Sequence, residues 1–340
     1  MARVTLQLKL KTNDLINGRY TVLKKLGEGG CGSVYRCKPL KAVKGSESEV
    51  AVKMLENASD LARFKREKKV LGSIRHQHVV KLLDHGQHER HPYLVLEYME
   101  GGSVRDLMDK EGRLSPEDAA WVLVQAVRGL RASRTVHRDM KPENLLVGRG
   151  IAKNGTLKLT VDDIKKGSVI KVADFGLAKA HDPNTLKLTN TGQVMGTPVY
   201  MSPEQCRNTR TVTPKSDIYS LGIIYFEMIV GKPPFEANNA YDIMAMHCND
   251  APKYPSRLDP RVKAVLEQCL AKTPKDRYGS LYALERDLAT IAGLGEPEPD
   301  RSSWAWIIIL IGLLVLGALA FVLRDELMPL VSQWFEKLRR

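Results

Sequence analysis

Between Tyr20 and Met99 apolar side chains recur mostly at every second position, the period of a half-buried strand. YTVLKKLGEGG (20–30) and GSVYRCKP (32–39) read as two strands around a glycine turn. EVAVKML (49–55) and HPYLVLEYM (91–99) read as further strands. One stretch changes period: Leu61, Phe64, Val70, Leu71 and Ile74 lie near helical spacing, which predicts a helix over 61–74. Upstream, Val4, Leu6, Leu8 and Leu10 alternate with polar residues and predict a lead-in strand within residues 1–18.

After Gly101 and Gly102 the texture becomes helical. SPEDAAWVLVQAVRGLRAS (115–133) opens with Ser115 as the expected N-cap and Pro116 at the first helical position. DIYSLGIIYFEMIVG (217–231) and PRVKAVLEQCLA (260–271) also read as helices. The expected class is therefore α+β, a strand-rich lobe (19–99) followed by a larger helical lobe (100–292). Residues 148–169 interrupt the second lobe with Gly, Lys, Thr and Asp and read as an insertion. GLGEPEPDRSS (293–303) reads as a linker. It leads into residues 304–323, an uncharged apolar run that would span about 30 Å as a helix, the thickness of bilayer hydrocarbon. A single transmembrane helix is expected there, with Trp304 and Trp306 at an interface and a short tail, 324–340, beyond.

Composition narrows the classes without choosing among them. The chain has 340 residues, 43% hydrophobic and 27% charged, which excludes wholesale disorder, a collagen-like fibre and a disulfide-stapled miniprotein. Lys plus Arg exceeds Asp plus Glu by 52 to 39, a net charge of +13. That excess suits nucleotide phosphates, nucleic acid or an anionic membrane surface. Cys31, Cys37, Cys206, Cys248 and Cys269 form no CxxC pair and no zinc spacing, so reduced thiols in a cytosolic compartment are expected. The N-terminus has no apolar core of a secretory signal.

Several short motifs carry chemistry. Leu26-Gly27-Glu28-Gly29-Gly30-Cys31-Gly32-Ser33-Val34 contains G-x-G-x-x-G. Glycines let backbone amides approach phosphates, although a glycine-rich hairpin serves turn geometry as readily. A strand follows it rather than a helix, and no Gly-Lys-Ser/Thr ends it, so it is neither a dinucleotide fingerprint nor a P-loop. Lys53, on an alternating strand, is one hairpin away and could reach the same phosphates, and Glu67 in the next helix could pair with it; either could also be an ordinary solvated residue. Val136 to Asn144 (VHRDMKPEN) supplies a carboxylate, an ammonium and an amide within six residues, and Val172 to Gly176 (VADFG) supplies another carboxylate. Asn144 and Asp174 are oxygen ligands suited to a hard cation such as magnesium.

Together with VAVK, GTPVYMSPE and SDIYSLG, these motifs resemble the signature set of eukaryotic-type (Hanks-type) protein kinases, and more narrowly bacterial membrane-anchored serine/threonine kinases. The resemblance covers roughly residues 18–292. It implies a two-lobed protein-kinase-like fold, ATP and Mg2+ (with Mn2+ as an alternative ion) as cofactors, and protein substrates with Ser/Thr acceptors. It implies that Asp139 orients the substrate hydroxyl, that Lys141 lies near the γ-phosphate, and that Asn144 and Asp174 hold the metal. Lys53 would contact the α- and β-phosphates and pair with Glu67. The adenine would lie among Val34, Ala51 and Leu146, against backbone groups of Glu97 and Met99, with Leu96 as gatekeeper. Glu204 would pair with Arg277, and Asp217 would brace the HRD turn, all three in structural roles. Arg138 would leave a cation for an activation-loop phosphate, with Thr185, Thr189 and Thr191 as candidate autophosphorylation sites. Threonines are also common in loops.

Three features depart from the family pattern. Cys31 stands at the loop tip, Ser202 replaces the alanine of APE, and the interval from Asn144 to Asp174 is lengthened by the insertion. The insertion is expected to extend a hairpin between two strands. Basic residues near the span favour a cytoplasmic tail by the positive-inside rule, whereas ATP places the kinase in the cytoplasm; the ATP argument decides the expected topology. The expected location is thus single-pass in a membrane, a bacterial plasma membrane by the resemblance, with the kinase domain cytoplasmic and lipid as a partner. A homodimer is left open, and the membrane run has no small-xxx-small pair. Nucleic acid is not an expected partner, since no recognition motif accompanies the charge. The alternative reading is a pseudokinase scaffold that binds nucleotide and partners without phosphoryl transfer.

Overall fold

The computed structural model describes residues 10–29, 32–45, 48–55, 61–148, 169–175, 198–208, 211–297, 311–316 and 318. By its contacts the chain divides into residues 1–296 and 297–340.

The first unit opens with strands β1 (Leu15–Ile16), β2 (Tyr20–Gly29), β3 (Gly32–Pro39) and β4 (Val50–Met54), then helix α1 (Leu61–Ser73) and strands β5 (Leu82–His88) and β6 (His91–Glu97). They form one antiparallel sheet in the order β1-β2-β3-β4-β6-β5. Every residue of β4 is buried because the strand is covered on both faces. Val50, Val52 and Met54 pack with Tyr20, Tyr35, Tyr93 and Val95 on one side. Ala51 packs on the other with Leu94, Leu96 and the α1 residues Phe64 and Leu71. The alternation of side chains along a strand thus sends Lys53 to the α1 side.

The sheet begins earlier than the pattern of residues 19–99 implies. Leu15 and Ile16, within the expected lead-in, pair with Thr21 and Tyr20. The turn between them uses Asn17 (φ 50°) and Gly18 (φ 62°). Asn-Gly is a strong hairpin signal because both positions need left-handed backbone. Of the four alternating apolar positions only Leu10 is described, and it packs on the sheet's second cluster; Val4, Leu6 and Leu8 lie outside the described residues.

The helical part follows as α2 (Val104–Glu111), α3 (Pro116–Ser133), strands β7 (Leu145–Val147) and β8 (Ile170–Val172), α4 (Pro203–Arg207), α5 (Pro214–Val230), α6 (Ala240–Asn249), α7 (Pro260–Cys269) and α8 (Leu281–Ile291). Ser115 caps α3 by accepting from the Asp118 amide, with Pro116 inside the first turn. α2 was not legible from apolar spacing, but Ser103 and Asp106 form a reciprocal capping box at its start. α5 is buried almost all round from Ser216 to Met228, which makes it the central helix of this lobe. Leu294, in the expected linker, packs on the same core.

β7 and β8 form a two-stranded antiparallel ladder, and Gly148 N donates to Val169 O at 2.8 Å just beyond it. The ends of the insertion therefore continue this hairpin by one step, and residues 149–168 lie outside the described residues. In the second unit, residues 311–316 are helical, with exposed Ile311, Leu313, Leu314, Val315 and Leu316. The remainder of the expected span, apart from residue 318, and the tail 324–340 lie outside the described residues. Among the described residues no helix is long and apolar enough to cross a membrane.

Candidate active site

The glycine-rich hairpin, Lys53 and the chain crossing between the lobes sit on adjacent strands. Gly29 pairs with Gly32, Glu28 with Ser33 and Gly27 with Val34; Val34 then pairs with Lys53, and Ala51 with Leu96. Leu26 is exposed at the hairpin's edge. Gly32 has φ +125°, and a Cβ there would fall 1.9 Å from the Met54 carbonyl oxygen, so this position requires glycine. Gly30 and Cys31, at the tip, lie outside the described residues. Glu97 is held by its side chain: Oε1 accepts from Lys81 N (2.7 Å) and Oε2 from Lys171 Nζ (2.7 Å). Met99 and Leu146 both pack on the main core, as does Val34.

Lys53 is the electrostatic centre. Its Nζ lies 3.1 Å from Glu67 Oε1 and 2.6 Å from Asp174 Oδ1. It joins β4, α1 and the residues after β8, positions 14 and 121 apart in the sequence. Lys53 is only 5% exposed and Glu67 only 1%. Burial alone would lower the Lys53 pKa, but Asp174 and Glu67 outweigh it and raise it. Burial likewise opposes ionisation of Asp174, and Lys53 outweighs it, so the Asp174 pKa is lowered. The pair is therefore ionic.

The catalytic-loop candidates are assembled from below. Asp217, buried at the start of α5, accepts from His137 N and Arg138 N, both at 2.8 Å. Burial holds its carboxyl above the usual range against those hydrogen bonds. Arg138 adopts φ 70° and Asp174 φ 61°, left-handed conformations rare for non-glycine residues. Such strain persists only where surroundings hold it. Here His137 Nε2 lies 2.7 Å from Ala173 O, and its ring meets buried Phe175 edge-on at 5.0 Å. Asp139 is exposed; its Oδ2 lies 3.3 Å from Lys141 Nζ. Asn144 Nδ2 donates to Asp139 O at 2.7 Å and lies 3.4 Å from Asp139 Oδ2.

These residues fit a hard divalent cation held together with a polyphosphate. Among the described residues, Asn144 engages neighbours through its nitrogen and keeps Oδ1, and Asp174 engages Lys53 through Oδ1 and keeps Oδ2. Among the described residues there is no cluster of three His, Cys, Asp or Glu side chains that could hold a metal alone. Two protein oxygens, with the rest from phosphate and water, is how magnesium is commonly bound.

Glu204 and Arg277 meet in a two-pronged ion pair, and Ser216 Oγ donates to Glu204 Oε1 at 2.6 Å. Thr185, Thr189 and Thr191 lie outside the described residues.

Two contributions were not read from the sequence. Gln205 Nε2 donates to Arg138 O at 2.7 Å, tying α4 to the candidate catalytic loop. Its signal was the Ser202-x-x-Gln205 capping box. Arg105 on α2 also gathers Glu143, Tyr200 and Glu227, and Tyr200 Oη donates to Glu227 Oε2 at 2.6 Å. No local pattern relates residues so far apart in sequence.

A model described as the protein kinase domain matches residues 20–288. The chain is 33% identical over 290 residues to the serine/threonine-protein kinase PknL of Mycobacterium tuberculosis, covering 82% of this chain and 67% of PknL. It is 32% identical over 310 residues to the serine/threonine-protein kinase PknB of Mycolicibacterium smegmatis, covering 86% of this chain and 46% of PknB. The matched region thus spans about two thirds of the one and less than half of the other.

Proposed function

The chain belongs to the protein kinase family, in its serine/threonine class, and from that premise we propose that it is a membrane-anchored enzyme that uses Mg2+ and ATP, phosphorylates proteins on Ser and Thr, and modifies its own activation segment. The observation that carries this reading is the double ion pair of Lys53 with Glu67 and Asp174. It brings a cation and a metal-binding carboxylate together where the glycine hairpin ends.

Phosphoryl transfer needs positioned phosphates, cations on the spreading negative charge and an oriented hydroxyl. Lys53, fixed by Glu67, supplies a charge for the α- and β-phosphates. Asn144 and Asp174 would hold Mg2+, which when bound neutralises phosphate oxygens. Asp139 is exposed, so a substrate hydroxyl can reach its carboxylate, and Asn144 steadies it through the Asp139 carbonyl. Lys141, beside Asp139, adds a second cation on the γ-phosphate side.

Arg138 is exposed next to Asp139, and its carbonyl is tied to α4. A phosphate on Thr185, Thr189 or Thr191 would give that guanidinium a partner. Membrane attachment is supported by the uncharged run 304–323 and by the exposed apolar side chains of helical residues 311–316. With the kinase domain on the ATP side, lipid is a partner of the C-terminal segment. A homodimer would let one copy modify the activation segment of another.

The test is to incubate the full chain in lipid vesicles with labelled ATP and Mg2+, beside Asp139→Asn, and map the modified residues. Incorporation on Ser or Thr that falls about 10²-fold or more in the variant is expected. Nucleotide binding without incorporation by the unaltered chain would overturn the reading.

A further inference from the structure

β8 pairs with strand β7 along one edge, and its other edge, bridged at Val172 by Val79, is held from two separate parts of the chain. Gln125 Oε1, on α3, accepts from Ile170 N at 3.0 Å. His78 Nδ1 lies 3.0 Å from Ile170 O. His78 O accepts from Val172 N, and Val80 N donates to Val172 O, both at 3.0 Å. Asp174 follows two residues later, with Ala173 N donating to Asn144 O at 2.9 Å.

Residues 76–80 come directly after α1, the helix that carries Glu67. Glu67 and Asp174 are thus fixed to the same short segment, and Lys53 closes the ring between them. α3 presses on this segment: a Cβ at Gly129 would fall 2.3 Å from His78 O and 2.9 Å from Val172 Cγ2. His78 is 4% exposed. A carbonyl oxygen can only accept, so Nδ1 carries the proton, and Nε2 has no hydrogen-bond partner among the described residues. A buried imidazole with one unpartnered nitrogen is costly in a core, whereas an apolar residue there would leave the Ile170 carbonyl unpaired. The imidazole serves that carbonyl.

We propose that His78 is a positioning residue for phosphoryl transfer: its Nδ1–H holds β8 to the segment after α1 and so sets the metal-binding carboxylate of Asp174 against Lys53 and Glu67. The role assigned to Asp174 rests on the function proposed above; the tethering of β8 does not.

The test uses the full chain and two variants. His78→Leu removes the donor, and His78→Asn retains an N–H that can reach the Ile170 carbonyl. Amide hydrogen exchange is followed in peptides covering 169–175, with peptides of α5 as the reference for global opening. His78→Leu is expected to speed exchange at Val172 and Ala173 about tenfold or more with α5 unchanged, and His78→Asn to stay within about threefold of the parent. In parallel, the Mg2+ concentration for half-maximal transfer should rise about fivefold or more in His78→Leu and recover in His78→Asn, since a carboxylate set about 1 Å off loses about that much or more. Unchanged exchange in β8 would overturn the proposal, as would exchange that rises in step with α5 or that His78→Asn fails to restore. An unchanged Mg2+ requirement beside an opened β8 would overturn it too, because Asp174 would then not follow the strand. Absence of transfer by the parent chain would instead count against the proposed function, and the exchange measurement would still decide whether His78 tethers β8.

Discussion

Arg277 and Glu204 form a two-pronged ion pair, Nη1 to Oε1 at 2.8 Å and Nη2 to Oε2 at 2.9 Å, across 73 positions of sequence. The guanidinium also donates to Ala271 O, Lys215 O and Lys272 O, so its donors are nearly all used inside the lobe. Both partners are buried. Removing one leaves an uncompensated buried charge. Arg277→Ala and Glu204→Ala should each cost about 3–5 kcal/mol in urea unfolding. The double variant should cost less than the sum of the two.

Asp217 should act on rate through the backbone of His137 and Arg138. Asn in its place supplies one acceptor and turns an N–H toward one of the two amides. Asp217→Asn is expected to lower kcat about tenfold with little change in KM for ATP, because the strained Arg138 backbone loses a support beside Asp139. Steady-state kinetics on the folded variant separate the two parameters.

The contacts of Lys53 predict a graded series. Lys53→Met removes the charge shared by Glu67 and Asp174 and should lower transfer about 10²-fold or more at saturating nucleotide. Glu67→Gln keeps an oxygen acceptor near the ammonium and should cost about tenfold. Equal losses in the two variants would show that Glu67 does more than hold Lys53.

Acid should weaken the fold through two buried histidines. Burial pushes the His78 pKa down to about 4, with His76, Arg128 and Lys171 adding to the effect. Burial also pushes His247 down to about 4, with Lys272 adding. Both folded values lie below the unfolded value near 6.5. The unfolded chain therefore binds more protons between about pH 6.5 and 4, and stability falls as pH falls through that window. Each histidine should contribute a loss of roughly 3 kcal/mol by pH 4. Urea unfolding of His78→Asn from pH 4 to 7.5 should show a shallower decline than the parent, and parallel curves would refute the assignment.

Much of this protein is legible in its sequence. The strands around Lys53 follow from period-two alternation, and α3 follows from Ser115, Pro116 and an apolar stripe, because both signals arise from interactions a few residues apart. The pieces of the candidate site were legible for a similar reason: the glycine hairpin, HRDMKPEN and DFG are each contiguous. Even β1, read as part of a lead-in, had a local signal in Asn17-Gly18.

Only the tertiary structure decided how those pieces meet. That Lys53 reaches both Glu67 and Asp174 depends on a strand, a helix and a hairpin from distant parts of the chain converging at one point. The Ser202-x-x-Gln205 box marks the start of α4 but not the Arg138 carbonyl that Gln205 reaches, and Arg105 among Glu143, Tyr200 and Glu227 and His78 on the edge of β8 have no signature, because their partners are backbone groups or side chains tens of residues away. Hydrophobic periodicity specifies which face of an element is buried; which polar groups then find each other is set by how the buried faces pack, and that is a property of the whole fold.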